Sequence, residues 1–130
     1  SHAATDYTKN GGCRALTFND ASLLTCLSND FSYEEAFARA VTQFVEPGDA
    51  LVAISSSGAS RNIIKACTAA RIKAVTIVTL SGFAPTNPLR SLGHLNFYVP
   101  SSSYGLVESA HTALLHAILE EHVMNHGARV

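Results

Sequence analysis

Residues 48–62 read Gly48-Asp49-Ala50-Leu51-Val52-Ala53-Ile54-Ser55-Ser56-Ser57-Gly58-Ala59-Ser60-Arg61-Asn62, and the architecture follows from how they divide. Ala50–Ile54 is a continuous apolar run, the pattern of a strand covered on both faces. A hydroxyl-rich turn with one glycine comes next, and a helical pattern then runs over Ser60–Ala70. At the C-terminal end of a parallel strand such a turn faces the ligand crevice. The helix beyond it aims unpaired N–H groups and a partial positive charge outward. Serine hydroxyls add short donors without bulk, so the combination suits a phosphate monoester. No Lys follows the glycine and no Gly-x-Gly-x-x-Gly is present, which excludes a Walker loop and a dinucleotide fingerprint. The plainer reading is a βα turn with Ser60 as N-cap. A cap needs one serine, and here four fall within six residues.

The same alternation extends in both directions. Upstream, Glu46-Pro47-Gly48-Asp49 is a turn and Phe31–Val45 an amphipathic helix, with Phe37, Ala40, Val41 and Phe44 on one face. Ala15–Phe18 reads as a short strand. Downstream, Ala74–Leu80 is a β-branched strand and Leu95–Val99 another, ended by Pro100. Tyr104–Met124 is a long closing helix. Strands alternating with helices predict βαβ units and a parallel sheet. There is no repeat and no linker, so residues 1–130 form one domain.

Composition narrows the function classes. The 130 residues are 47% hydrophobic and 15% charged. An average soluble domain carries about 25% charge, so a homo-oligomer hiding surface is expected. The net charge of -1, without a basic stripe, speaks against nucleic-acid binding. No apolar run reaches the roughly 18 residues of a membrane span, and no secretion signal opens the chain. Cys13, Cys26 and Cys67 form no Cys-x-x-Cys pair, which disfavours zinc knuckles and suits free thiols in a cytoplasmic protein. The chain opens Ser1-His2-Ala3-Ala4 without Met, which fits either an artificial leader or the middle of something longer.

Ser55-Ser56-Ser57-Gly58-Ala59-Ser60 after a strand resembles the phosphosugar-binding loop of SIS (sugar isomerase) domains. Leu27-Ser28-Asn29-Asp30-Phe31, Val99-Pro100, Tyr104-Gly105 and the helix Glu108-Ser109-Ala110-His111-Thr112-Ala113-Leu114-Leu115-His116 bring the likeness closer to one branch, the phosphoheptose (sedoheptulose 7-phosphate) isomerases. The resemblance runs over essentially the whole chain. It implies a three-layer α/β sandwich on a parallel, flavodoxin-like sheet, and a homotetramer with sites near subunit interfaces. His2-Ala3-Ala4-Thr5-Asp6 looks like the helix that follows the family's first glycine-rich loop. On that reading Ser1-His2 is native, and the preceding helix, first strand and Gly-Asn-Gly-Gly-Ser loop precede this chain.

The resemblance implies a site as well. Metal positions fall on His2, Asp6, Glu108 and His116, a set suited to Zn²⁺ or a similar divalent ion. Asp6 and His116 take the catalytic places, while Asn29, Asp30, Ser55, Ser56, Ser57, Ser60 and Glu108 take substrate-binding ones. The spacing is compatible: His2 and Asp6 are i and i+4. Glu108 and His116 lie eight apart, roughly 80° around a helix. Two residues depart from the family pattern, which usually has Glu at position 6 and Gln at position 108. The shorter Asp6 must sit closer or act through water. The implied reaction is ketose–aldose isomerisation through an enediol(ate), in heptose precursor synthesis. The rival is a non-catalytic SIS module that binds a sugar phosphate or a partner protein such as a replication initiator. His116 favours the enzyme and Asp6 the binder. Three plainer readings stand beside these: Asn29-Asp30 as a helix-capping turn, His111 as a packing residue, and His94, His122 and His126 as surface residues.

Overall fold

The structure, a computed structural model, describes residues 1–127. β1 (Ala50–Ser55), β2 (Thr76–Ser81) and β3 (Leu95–Tyr98) form a parallel sheet in that order. The register pairs Ser55 with Ser81, and Ser81 with Tyr98. The three strand ends are therefore level, and their exit turns share one edge. Among the described residues five α-helices flank the sheet: α1 (His2–Lys9), α2 (Ala21–Asp30), α3 (Tyr33–Phe44), α4 (Arg61–Ile72) and α5 (Tyr104–His126).

Local signals set the helix ends. The Ser32 hydroxyl accepts from Glu35 N–H at 3.3 Å, and Glu34 and Glu35 add negative charge to the first turn of α3. Asp20 caps α2 in the same way through Leu23 N–H. α4 closes with Val75 N–H bonded to the Ala70 carbonyl and with Ala74 at φ +56°, a position that glycine usually fills.

α3 and α4 cover one face of the sheet. The small residues Ala66 and Ala70 of α4 allow close approach, and with Val41, Cys67, Ala53, Ile77 and Leu89 they form the main core, while Ala36 and Ala40 of α3 pack with Leu27 of α2 in a second one. Lys65 of α4 bridges Glu35 and Glu34 of α3 at 2.5 and 3.4 Å. This contact holds the Glu35 carboxyl below its usual range, chiefly through the hydrogen bond from Lys65. α5 takes the other side, where Val107 packs on Gly82. α1 docks on α5 through the Tyr7 hydroxyl, which donates to the Leu115 carbonyl at 2.8 Å. Burial, with Cys13 nearby, raises the Tyr7 phenol above its usual value. The result is the expected α/β sandwich on a parallel sheet. No helix among the described residues is long and apolar enough to cross a membrane.

Several expectations are corrected. Ala15–Phe18 is not a strand: the Ala15 N–H and carbonyl both bond the Thr8 hydroxyl, at 3.3 and 3.1 Å, so a side chain of α1 satisfies this backbone. β1 is an edge strand, with Val52 and Ile54 44% and 41% exposed on the face away from α3 and α4. A continuous apolar run reads the same whether one face or both are covered. His122 is half-buried and meets the Gly11 carbonyl through Nε2 at 3.1 Å. His94 and His126 are exposed as expected, and His94 also extends the sheet, its N–H donating to the Ile77 carbonyl and its Nδ1 accepting from Ile77 N–H.

Candidate functional site

The exit turn of β1 is tightly folded. Gly58 N–H closes it on the Ser55 carbonyl at 3.0 Å, and Gly58 holds φ +65°, where only glycine is unstrained. Ser55 is buried and its hydroxyl lies 2.9 Å from that of Ser60 and 3.5 Å from that of Ser57. The Ser57 hydroxyl accepts from Ala59 N–H at 3.2 Å. Ser60 stands at the N-cap of α4, but its hydroxyl turns to Ser55 instead of capping the helix. The positive end of α4 is therefore not compensated by its own cap. Three hydroxyls converge beside that end, a donor set whose chemistry suits a small anion.

α5 ties this turn to a second group of residues. The Ser56 hydroxyl reaches Glu108 Oε1 at 3.4 Å. His116, two turns further along α5, lies beside α1, its ring centroid 6.3 Å from that of His2. His2 Nε2 is 3.2 Å from Asp6 Oδ2. One donor atom each from His2, Asp6 and His116 lies within 4.8 Å of the others. Ligands about 2.0–2.2 Å from a tetrahedral ion stand between three and four ångströms apart, so the three need only a small inward movement to hold one and leave a fourth position open. Two imidazoles and a carboxylate are borderline donors of the kind zinc takes.

The expected residues thus fall into three places. Ser55, Ser56, Ser57 and Ser60 come together with Glu108. His2, Asp6 and His116 come together separately. Glu108 does not join that group, because eight residues advance a helix by about 12 Å. A carboxylate beside the serine turn repels an anion, so Glu108 suits a hydroxyl donor or a cation. Asn29 and Asp30 lie in the last turn of α2, bonded to each other at 3.0 Å, with Cys26 Sγ 3.6 Å from Asp30. They cap no helix, since Asp20 and Ser32 do that for α2 and α3.

Asn87 escaped the sequence reading. It is buried, and its Nδ2 donates to Ser81 Oγ and to the Gly82 and Ala84 carbonyls, while Oδ1 accepts from Arg90 N–H. Its carboxamide presses on Gly58, and Leu89 N–H donates to the Gly58 carbonyl at 3.0 Å. The Asn87-Pro88 dipeptide signals a turn, but nothing local says which loop it buttresses. His111 is buried, with Nε2 on the Ser81 carbonyl at 3.1 Å and Nδ1 unpaired, so it joins α5 to the end of β2. Burial on the inner face of α4 pushes the Cys67 thiol up to about 11 despite the opposing charge of Arg71, which keeps it protonated and a poor nucleophile.

The chain has relatives of known family and fold. A family model described as SIS domain matches residues 6–82. The phosphoheptose isomerase of Shewanella sediminis (strain HAW-EB3) is 39% identical over 108 residues, covering 82% of this chain and 54% of the relative. That of Shewanella sp. (strain ANA-3) is 37% identical over 103 residues, covering 78% and 52%. The chain spans about half the length of the curated relatives it matches. The solved structure of a phosphoheptose isomerase from Neisseria gonorrhoeae superposes with a TM-score of 0.83 at 30% identity, covering 92% of this chain and 66% of that one. One from Francisella tularensis, at 23% identity and a TM-score of 0.71, shows the shared fold.

Proposed function

The chain belongs to the SIS domain family, and from that premise we propose that it carries the phosphate-binding and proton-transfer residues of a phosphosugar ketose–aldose isomerase, acting on sedoheptulose 7-phosphate in heptose precursor synthesis. The observation that carries the reading is the Ser56–Glu108 contact. It places the serine turn at the start of the same helix that brings His116 to His2 and Asp6. A substrate anchored by its phosphate at Ser55, Ser57 and Ser60 extends along α5 toward that group. Phosphate binding remote from the reacting carbons then supplies orientation there.

In this reading Asp6 removes the proton from the carbon beside the carbonyl. Its Oδ2 faces His2, and the second carboxylate oxygen stays available. His116 serves the oxygen pair as the acid partner, so that the enediol(ate) forms and collapses on the adjacent carbon. Glu108 accepts from a sugar hydroxyl, and Asn29 and Asp30 hold hydroxyls at the far side. His2, Asp6 and His116 would hold a divalent ion, zinc by donor type, which polarises the carbonyl and hydroxyl oxygens when bound.

A homotetramer accords with the 15% charge and with exposed Val52, Ile54 and Leu106. A phosphorylated substrate and three free thiols suit the cytoplasm. The test incubates the full-length protein with sedoheptulose 7-phosphate, with and without chelator, and follows aldose formation. Turnover that chelation stops and zinc restores is expected. Tight sugar-phosphate binding without turnover would replace the enzyme by the binding module, which the shorter Asp6 favours. Absence of binding would remove both.

A further inference from the structure

Phe83 has φ +59°. A bulky side chain there is strained by roughly 1–2 kcal/mol, and such residues persist where their surroundings over-determine them, often at ligand sites. The surroundings here are explicit. Phe83 N–H donates to the Ser101 carbonyl and the Tyr98 hydroxyl donates to the Phe83 carbonyl, both at 2.8 Å. The ring meets Tyr104 edge to face, centroids 4.7 Å apart.

The pair stands beside the serine turn. Gly82, the residue before Phe83, fits between the Ser56 carbonyl and the Val107 side chain so closely that a methyl would lie 3.0 Å from one and 2.8 Å from the other. Tyr104 precedes Glu108 by one helical turn on the same face of α5, and Glu108 touches Ser56. Tyr104 is 60% exposed, so its ring is not spent on the core. Both residues thus stand at the exit edge of β1 and β2, each one step from a residue that touches Ser56.

We propose that Phe83 and Tyr104 form the apolar wall of the substrate site, against which the carbon-bearing face of the phosphosugar packs. The wall rests on the phosphosugar reading above. It complements hydroxyls and carboxylates that have only polar contacts to offer. It also separates two affinities: inorganic phosphate uses the serine turn alone, whereas a sugar phosphate uses the turn and the rings.

The test measures binding of inorganic phosphate and of sedoheptulose 7-phosphate by calorimetry to the wild-type full-length protein and to Phe83→Gly, Tyr104→Ala and Tyr104→Phe. Phe83→Gly relieves the backbone strain, so it folds with an unchanged or higher melting temperature. It and Tyr104→Ala should weaken the sugar phosphate about tenfold, equivalent to about 1.4 kcal/mol, and leave inorganic phosphate within about twofold. Tyr104→Phe should match wild type. If wild type binds both ligands and Phe83→Gly and Tyr104→Ala bind the sugar phosphate equally well, the wall is wrong and the phosphosugar reading stands. If wild type binds neither ligand, both fall.

Discussion

Replacing Gly58 by Ala tests whether the serine turn is held by its backbone and by Asn87. At φ +65° an added Cβ costs roughly 1–2 kcal/mol. That methyl would stand 1.9 Å from Asn87 Oδ1 and 2.2 Å from its Cγ. The carboxamide must move, and its bonds to Ser81, Gly82, Ala84 and Arg90 stretch or break in a buried place. Leaving buried polar groups unpaired costs about 1–3 kcal/mol. The two effects sum to about 2–5 kcal/mol. At about 4 °C per kcal/mol for a domain of this size, melting falls by about 8–20 °C. Chemical denaturation of the wild type, Gly58→Ala, Asn87→Ala and the double variant separates the two parts. Removing the carboxamide first should reduce the Gly58→Ala cost to its backbone share, a coupling of about 1–3 kcal/mol. A Gly58→Ala cost below about 0.5 kcal/mol, or costs that simply add, would refute the reasoning.

Ala74→Gly, at φ +56° after α4, relieves roughly 1–2 kcal/mol of left-handed strain against about 0.4–1 kcal/mol of added unfolded-chain entropy, and should raise the denaturation midpoint; a lowered one would contradict the strain assigned to it. The Cys67 thiol, at about 11 in the fold against 9.0 unperturbed, binds its proton more tightly when folded. Its contribution is complete below pH 9 and is lost as pH rises toward 11, by up to about 3 kcal/mol. Cys67→Ala should remove that part of the alkaline slope in pH-dependent denaturation. The lowered Glu35 carboxyl acts at the opposite end: the Lys65 pair stabilises above the ordinary carboxylate range and is lost as pH falls through the depressed value. Glu35→Gln should flatten the acid limb, and an unchanged limb would show the pair to be inert. His116→Ala should weaken zinc binding, measured by calorimetry, by more than the roughly 10–100-fold that loss of an outer partner costs. Its melting temperature should barely move, because His116 is exposed.

Much of the fold is local and was legible for that reason. The apolar run Ala50–Ile54, the Pro47-Gly48 break and the serines after the strand are written in neighbouring residues, and they specify strand, turn and helix without reference to the rest of the chain. That the four serines gather at the N-terminal end of α4 was legible in the same way, since they are neighbours in the chain. Ala15–Phe18 failed because a strand needs a partner strand, and the partner its backbone found was the Thr8 side chain. Helical angles allowed Glu108 and His116 to face one site, but they ignored the rise between them.

What decided the remainder is the meeting of segments far apart in the chain. Docking of Tyr7 on Leu115 carries His2 and Asp6 to His116, more than a hundred residues away. Asn87 reaches back 29 positions to Gly58, and Gly82 locks Ser56 against Val107. Periodicity and turn chemistry are set by nearest neighbours, so the residues alone state which elements form and where the serines gather. Close packing and hydrogen-bond pairing are set across the whole volume, and only the folded chain sorts the polar side chains into a serine turn, a cluster of His2, Asp6 and His116, and the Asn87 buttress.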